Sequence, residues 1–180
     1  MGQSRWKVTS NGMTSFSLAP MSPMIRSLTL VLLVLPLVFF SAALIGASTL
    51  VGPAVLLIAL YLWVWFRFRP TMFVVHRHML EIIWPLKRRQ IERVTIVGIR
   101  IIDSKELRRE VGWGLRVGVG GLWGAFGWLW TQRRGIVQMY ISRTDGLVWI
   151  ERAQGRPWLL TPERPEDFVR TLSNEPDALA

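Results

Sequence analysis

Forty consecutive residues, 27–66, contain no Asp, Glu, Lys, Arg or His and are mostly Leu, Val, Ile, Ala and Phe. One crossing of a bilayer takes about 20 apolar residues, and a single helix of this length would reach roughly 60 Å, about twice the hydrocarbon thickness. The run is interrupted by small or weakly polar residues at 46–49. The sequence therefore predicts a transmembrane hairpin over 27–66, with helices at 28–46 and 50–66.

A cleaved signal peptide is the alternative interpretation of the first half of this run. The apolar core of a signal peptide usually has about 7–15 residues. The stretch here is longer, and a second apolar stretch follows it at once. We therefore favour a hairpin that stays in the membrane.

Basic residues flank the hairpin on both sides. Arg5, Lys7 and Arg26 precede it without any acid, Arg67 and Arg69 follow it, and the connecting loop is uncharged. Lys and Arg near the ends of spans favour the cytoplasmic side. We expect a multi-pass protein with both termini in the cytoplasm, and with residues 1–26 as an N-terminal cytoplasmic segment.

Trp63 and Trp65 come directly before Arg67 and Arg69. Tryptophan at headgroup depth, followed by cations, is typical of the end of a span. The four residues are therefore predicted to contact lipid or a partner, although burial of the tryptophans between helices is an equally good interpretation.

The formal net charge of +10 is concentrated after the hairpin. Residues 67–134 carry fourteen Lys or Arg and five acids, whereas residues 135–180 carry five Lys or Arg and seven acids. Anionic phospholipid of the adjacent leaflet is the natural counter-charge, and nucleic acid ranks lower because no nucleic-acid fold signature is found. The cluster Lys87-Arg88-Arg89 is predicted to face such lipid or an acidic partner; the alternative is a solvated loop.

Beyond the hairpin the pattern changes to short β-like runs. Strands are predicted at 72–76, 79–84, 91–102, 136–141, 147–151 and 158–160, a polar connection at 87–90 and a charged loop at 103–110. Asp145-Gly146 between two of these runs predicts a β-hairpin. Thr161, an early proline and clustered acids predict a C-terminal helix with Phe168, Val169 and Leu172 on its apolar face. Residues 173–180 are expected to be a tail.

Residues 112–130 hold seven glycines and four tryptophans. They are too short and too rich in glycine for a third span. One interpretation is a pair of strands, or an irregular hairpin, in which glycines allow close packing. The other is a loop that dips into the membrane interface or packs on partner helices, with Trp123, Trp128 and Trp130 in contact with lipid or partner.

The sequence offers no candidate for catalysis, and neither a cofactor nor a metal site is expected. His76 and His78 could begin a metal site, but only Glu81 lies near them in sequence. The glycine-rich stretch lacks the Gly-Lys-Ser/Thr of a phosphate loop. The absence of cysteine excludes thiolate chemistry and disulfides.

The order of elements resembles the bacterial pleckstrin-homology-like domains, particularly membrane proteins with a hairpin ahead of the domain. The resemblance covers residues 67–172 and is carried by the strand pair after Pro70, the glycine-rich middle, the run 135–148 and the ending 160–168. It implies a bent antiparallel barrel or sandwich of about seven strands, closed by the C-terminal helix. Phosphoinositide recognition is not carried over, because the first strand connection holds only Arg77 and His78 instead of a basic motif.

Two functions follow as hypotheses. The favoured one is a non-catalytic accessory subunit in a bacterial inner membrane, whose hairpin packs on other integral membrane subunits and whose domain docks on the complex. The resemblance extends to subunits of photosynthetic reaction-centre–antenna complexes, although no pigment-ligand pattern is present. The alternative is a free-standing module that binds anionic phospholipid, or a cytoplasmic protein, at the membrane surface.

Overall fold

A computed structural model describes residues 8–9 and 13–174 of the chain. Its helices are α1 (Pro23–Leu44), α2 (Val51–Arg67), α3 (Ser104–Val111) and α4 (Pro165–Ser173). Its strands are β1 (Val8–Thr9), β2 (Met13–Ser17), β3 (Met72–Val75), β4 (Met79–Ile83), β5 (Arg88–Glu92), β6 (Ile96–Ile102), β7 (Gly114–Gly120), β8 (Ala125–Thr131), β9 (Gly135–Ile141), β10 (Leu147–Arg152) and β11 (Trp158–Leu160).

The apolar run forms the predicted helical hairpin. Helix α1 begins before the predicted boundary because Ser22 accepts a hydrogen bond from the amide of Ile25 and Pro23 occupies the first turn. Helix α1, and the segment Ser48–Arg67 formed by a 3-10 turn and α2, are long and apolar enough to cross a membrane, and most of their residues are exposed. Pro36, Ala54 and Val64 are buried, whereas most of the large apolar side chains point outward.

Both ends of the hairpin are anchored in one sheet. Its strand order is β1-β2-β3-β4-β5, and the hairpin is inserted between the paired strands β2 and β3, with Phe16 opposite Phe73. The sequence predicts residues 1–26 as a segment separate from the domain. In the structure, β2 is a strand of the domain's sheet, and its Phe16 is part of the hydrophobic core. The hairpin is therefore an insertion in the domain's sheet.

The second sheet has the order β6-β10-β11-β9-β8-β7. The predicted hairpin around Asp145-Gly146 is wrong, because β11 lies between β9 and β10 and runs parallel to β9. The connection over residues 142–146 has five residues. It is long enough to cross the ~10 Å between strands that are two positions apart.

Two further segments differ from the expectation. The predicted connection at 87–90 and the predicted strand at 91–102 are rearranged into β5, a 3-10 turn at Arg93–Thr95 and β6. The predicted loop at 103–110 is helix α3, whose N-cap Asp103 accepts a hydrogen bond from the amide of Glu106. Leu107 and Val111 lie four residues apart and pack on the second sheet, which stabilises an otherwise charged helix.

The glycine-rich stretch forms the hairpin β7–β8, which confirms the first of its two interpretations. Gly118 and Gly127 face each other across the two strands, and both have positive φ angles, of 138° and 134°. This close approach requires glycine, since a Cβ at Gly127 would lie 2.5 Å from the carbonyl oxygen of Val117.

The two sheets pack face to face and are closed by α4, as the resemblance implies. Phe168 of α4 lies edge-on against Phe16 at 5.2 Å and near Phe73 at 6.1 Å between ring centres. Phe168 and Leu172 are buried, which confirms the predicted apolar face of this helix. Nine strands follow the hairpin within the described residues, rather than about seven.

Candidate functional site: a basic cleft beside the second apolar helix

The loop between β7 and β8 fixes the domain against the hairpin. The hydroxyl oxygen of Thr29 in α1 accepts a hydrogen bond from the amide of Trp123 at 3.0 Å and lies 2.8 Å from the carbonyl oxygen of Gly121. The ring of Trp123 packs edge-on against Trp65 of α2 at 4.8 Å and Tyr61 at 6.4 Å. These contacts hold Trp123 in a left-handed backbone conformation, with φ of 59°.

A cleft lies next to this contact, where α2 ends above the second sheet. It consists of two adjoining cavities of about 200 and 400 Å³ that share Trp128 and Gln138. The smaller cavity is also lined by Arg67, Phe68, Lys87, Gly127 and Tyr140, and the larger one by Arg89, Arg152, Gly155 and Arg156. We call these residues together the basic cleft.

The floor of the basic cleft is a row of side chains across three strands. Trp128 of β8 is opposite Gln138 of β9, and Gln138 is opposite Trp158 of β11. The first sheet contributes Arg89, whose Nη1 donates to Oε1 of Gln138 at 2.6 Å and whose guanidinium lies 5.1 Å from the ring centre of Trp158. The cleft therefore forms where β5 of the first sheet meets the second sheet.

Strand geometry decides which members of the basic cluster reach this cleft. Successive side chains of a strand point to opposite faces. Arg89 pairs in register with the buried Ile82 and faces the second sheet, whereas the side chain of Arg88 is 72% exposed and lies 4.0 Å from Glu81 on the other face. Arg89 therefore belongs to the basic cleft, whereas its neighbour Arg88, which has the same charge, does not.

Among the described residues, the lining of the basic cleft includes five cations and no acid: Arg67, Lys87, Arg89, Arg152 and Arg156. Within the described part of the chain, the ion pairs involve other basic residues. Burial, and then the charges of Arg67 and Arg89, lower the pKa of Lys87. Burial, and then the charge of Arg89, lower the pKa of Arg152. Among the described residues, no acid pairs with these five cations.

Buried aromatic rings lie against two of the cations of the basic cleft. The ammonium of Lys87 lies 4.5 Å from the ring centre of Trp84, and the guanidinium of Arg152 lies 5.5 Å from that of Trp158. Such contacts stabilise a cation only in part. Nε of Arg152 and Nε1 of Trp158 are buried donors without a hydrogen-bond partner in the described residues. An anion with several acceptor oxygens, such as a phosphate, can pair with the cations that line the basic cleft.

A family model described as "Bacterial PH domain" matches residues 71–175. The chain belongs to the bacterial PH domain family. No curated protein and no solved structure matches the chain. The matched region includes the lining residues of the basic cleft, except for Arg67 and Phe68 at the end of α2. The cleft is thus formed jointly by the PH domain and the inserted hairpin.

The predicted contact residues are only partly brought together. Arg67, Lys87, Arg89 and Trp128 line the basic cleft, whereas Arg88 faces away. The other predicted residues lie outside the cleft. Trp63 packs on Phe68, and Arg69 lies over the ring of Trp65. Trp123 packs on the hairpin, and Trp130 is 62% exposed. Burial lowers the pKa of Arg69. Their contact with lipid or a partner remains a prediction.

Sequence reasoning missed the half of the basic cleft that comes from the end of the PH domain. Arg152 and Arg156 flank the turn after β10, about sixty residues beyond the Lys87 cluster, and no spacing connects the two. Gln138 and Tyr140 alternate on β9, which places them on one face. That alternation is the one sequence pattern that could have indicated the floor of the basic cleft. It does not reveal which charged side chains lie above the strand.

His76 and Arg93, which lie outside the basic cleft, have structural roles. His76 Nε2 lies 3.2 Å from Glu81 Oε2, and no group of three or more possible metal ligands occurs in the described residues. A groove of about 500 Å³ beside Arg77 and His78 contains Arg93, but Arg93 donates to carbonyl oxygens at the end of α4, including that of Leu172 at 2.8 Å. Arg93 therefore caps the C-terminus of α4.

Proposed function

We propose that the protein is a membrane-anchored PH domain that binds the phosphate of anionic phospholipids in its basic cleft. The observation that carries this proposal is the cluster of five cations, with no acid among the described lining residues, which begins at Arg67, the last residue of α2. A phospholipid headgroup lies at this level when α2 crosses a bilayer. The proposed role is non-catalytic binding.

The charge distribution supports a cytoplasmic location of the domain at a bacterial inner membrane. The flanks of the hairpin are basic and its loop is uncharged. Since β2 and β3 pair with each other, both flanks are on the same side of any membrane that the hairpin crosses. Each cation near an anionic leaflet contributes about 1 kcal/mol. Because the hairpin already anchors the chain, lipid binding would serve to orient the domain and to select lipid.

The test uses the full-length chain in nanodiscs, because a fragment that begins at residue 67 would lack β2 and Phe16. Spin-labelled phosphatidylglycerol and phosphatidylcholine report, through the immobilised fraction of each, how strongly the chain prefers the anionic lipid. The preference should fall in Arg89→Gln and Lys87→Gln and persist in Arg88→Gln, which removes the same charge from the other face of β5.

Two results would contradict the proposal. The first is no preference of the wild-type chain for phosphatidylglycerol over phosphatidylcholine. The second is an equal loss of preference in all three variants, which would mean that only total charge matters and that the basic cleft has no special role.

A second candidate, the accessory subunit, is favoured by the outward surface of α2. Gly52 and Ala59 are exposed there, seven residues apart and hence on one face of the helix. Apart from its chain neighbours and the backbone of α2, no atom of the described residues lies within 4 Å of a Cβ built on Gly52. Small residues allow close approach of a helix from another integral membrane subunit. The complex, for which a photosynthetic assembly is the example implied by resemblance, remains a prediction.

Bulky substitutions on this surface test the second candidate. Gly52→Leu and Ala59→Leu fill the shallow surface without touching the Thr29–Trp123 contact, so insertion and domain folding should persist. Co-purification with a membrane partner in mild detergent should be lost, whereas Leu56→Ile should retain it. If the Leu variants co-purify fully with every partner of the wild type, α2 is only an anchor.

A further inference from the structure

The basic cleft has two charged ends separated by a neutral pair. Trp128 and Gln138 line both cavities. Arg67 and Lys87 lie at the near end, beside α2, and Arg152 and Arg156 lie at the far end, beside the turn after β10. A ligand that extends past Trp128 and Gln138 would meet cations at both of its ends.

Arg89 lies within electrostatic reach of both ends. Its charge is a cause, secondary to burial, of the lowered pKa of Lys87 at the near end and of Arg152 at the far end. Its hydrogen bond to Gln138 and its position over Trp158 hold it above the middle of the floor. A phosphodiester carries one negative charge, so a single one would leave most of this positive charge uncompensated.

We propose that the basic cleft selects lipids that carry two phosphate groups and binds one phosphate at each end. This inference rests on the proposed function and names the ligand class of the same cleft. At the far end, Arg152 and Arg156 provide the second set of donors. The positive charge of Arg89 contributes to phosphate binding at both ends of the basic cleft.

The surface beside the basic cleft favours a lipid over a soluble diphosphate. Val117 of the edge strand β7 is opposite Trp128, and Leu115 is opposite Trp130. These four side chains are between 42% and 62% exposed and form an apolar shelf that continues the floor of the cleft toward the sheet edge. A soluble anion gains nothing from such a shelf, whereas the glycerol and upper acyl groups of a lipid would cover it.

The experiment compares cardiolipin, which has two phosphodiesters, with phosphatidylglycerol, which has one. The full-length chain is placed in phosphatidylcholine nanodiscs that contain one or the other at equal total phosphate, and the immobilised fraction of spin-labelled lipid is measured. We expect cardiolipin to be preferred per phosphate by roughly fivefold or more, as for one further charged contact.

Variants assign this preference to the two ends. Arg156→Gln should reduce the preference for cardiolipin and leave the binding of phosphatidylglycerol nearly unchanged, whereas Lys87→Gln should weaken both. Arg88→Gln, which removes a charge outside the basic cleft, should weaken neither. Inorganic diphosphate, added to phosphatidylcholine nanodiscs and followed by calorimetry, should bind the chain more weakly than cardiolipin does.

Each contrary outcome has a distinct meaning. Equal binding of the two lipids per phosphate, with Arg156→Gln affecting both alike, would overturn the two-phosphate inference and leave the proposed function intact. Binding of inorganic diphosphate as tight as that of cardiolipin would overturn the lipid assignment. If neither anionic lipid is preferred over phosphatidylcholine, both the inference and the proposed function fail.

Discussion

Pro36 leaves one backbone oxygen of α1 without its helical partner. Proline has no amide hydrogen, so the carbonyl oxygen of Leu32, four residues earlier, cannot be bonded in the usual way. The hydroxyl of Tyr61 in α2 donates to that oxygen at 2.8 Å. A single side chain thus satisfies the carbonyl that Pro36 leaves free and joins the two helices.

We expect Tyr61→Phe to destabilise the full-length chain in detergent by about 1–3 kcal/mol, because an acceptor in an apolar environment loses its donor. The thermal unfolding midpoint measures the effect. In a Pro36→Ala background the helix supplies its own amide, so the same change should cost much less. Equal losses in both backgrounds would mean that the hydrogen bond has no part in the effect.

Glu110 gives the domain a pH-dependent contact between α3 and the second sheet. It pairs with Arg100 at 3.0 Å and with Arg134. Burial on its own would raise the pKa of Glu110, but the hydrogen bond from Arg134 and the charges of Arg100 and Arg134 outweigh it and lower the pKa below its ordinary value of 4.5. The ionised form is therefore favoured in the folded state.

A depressed carboxyl pKa stabilises the fold above the unfolded-state pKa, and this contribution is lost as pH falls through the lower folded-state value. The stability advantage of the wild type over Glu110→Gln should therefore be constant from neutral pH down to about 5 and shrink below the ordinary pKa of 4.5. Urea unfolding at a series of pH values measures it. An advantage that grows on acidification would contradict the assignment.

Among the secondary-structure elements, the hairpin β7–β8 depends most strongly on glycine. Gly127 has a φ of 134° and faces backbone atoms of β7. Gly135, after the next turn, has a φ of 66°, and beyond its chain neighbours no atom of the described residues lies within 4 Å of where a Cβ would be. Gly135→Ala should cost about 1–2 kcal/mol for its left-handed conformation alone. Gly127→Ala should cost clearly more, because it also drives a Cβ against a backbone oxygen.

Thermal unfolding of the two alanine variants separates conformational strain from the clash. The larger effect should appear with Gly127, together with weaker packing of the Trp123 loop on the hairpin, seen as a change in tryptophan fluorescence. If the two variants unfold at the same temperature, the close approach of β7 and β8 does not determine the stability of this hairpin.

Local patterns predicted some elements and failed for others. The uncharged run predicted α1 and α2, and acids after a proline predicted α4, because each signal is contained within one element. Residues 87–90 are predicted as a connection because charge dominates their composition, yet residues 88–92 form β5, with Ile91 buried and Arg89 on the same face of the strand. The Asp145-Gly146 turn formed, but which strands pair depends on β11, a three-residue strand that carries little signal of its own.

At the scale of the whole molecule, the basic cleft arises because the hairpin is inserted between two paired strands. This insertion places the end of α2 beside the second sheet, and the loop at Trp123 holds it there. Cations from residues 67, 87, 89, 152 and 156 then meet in one place. The sequence identified three of them by their nearness to the hairpin. The other two depend on long-range strand order, which no local pattern contains.

Hydrogen exchange of the full-length chain in nanodiscs tests the central claim most directly. Amides in the turn at residues 84–87, at the near end of the basic cleft, should exchange more slowly with phosphatidylglycerol present than in phosphatidylcholine alone. The turn at residues 143–146, which lines neither cavity, should not change. Arg89→Gln should abolish the difference. Identical exchange in both lipids, or equal slowing in both turns, would contradict lipid binding in the basic cleft.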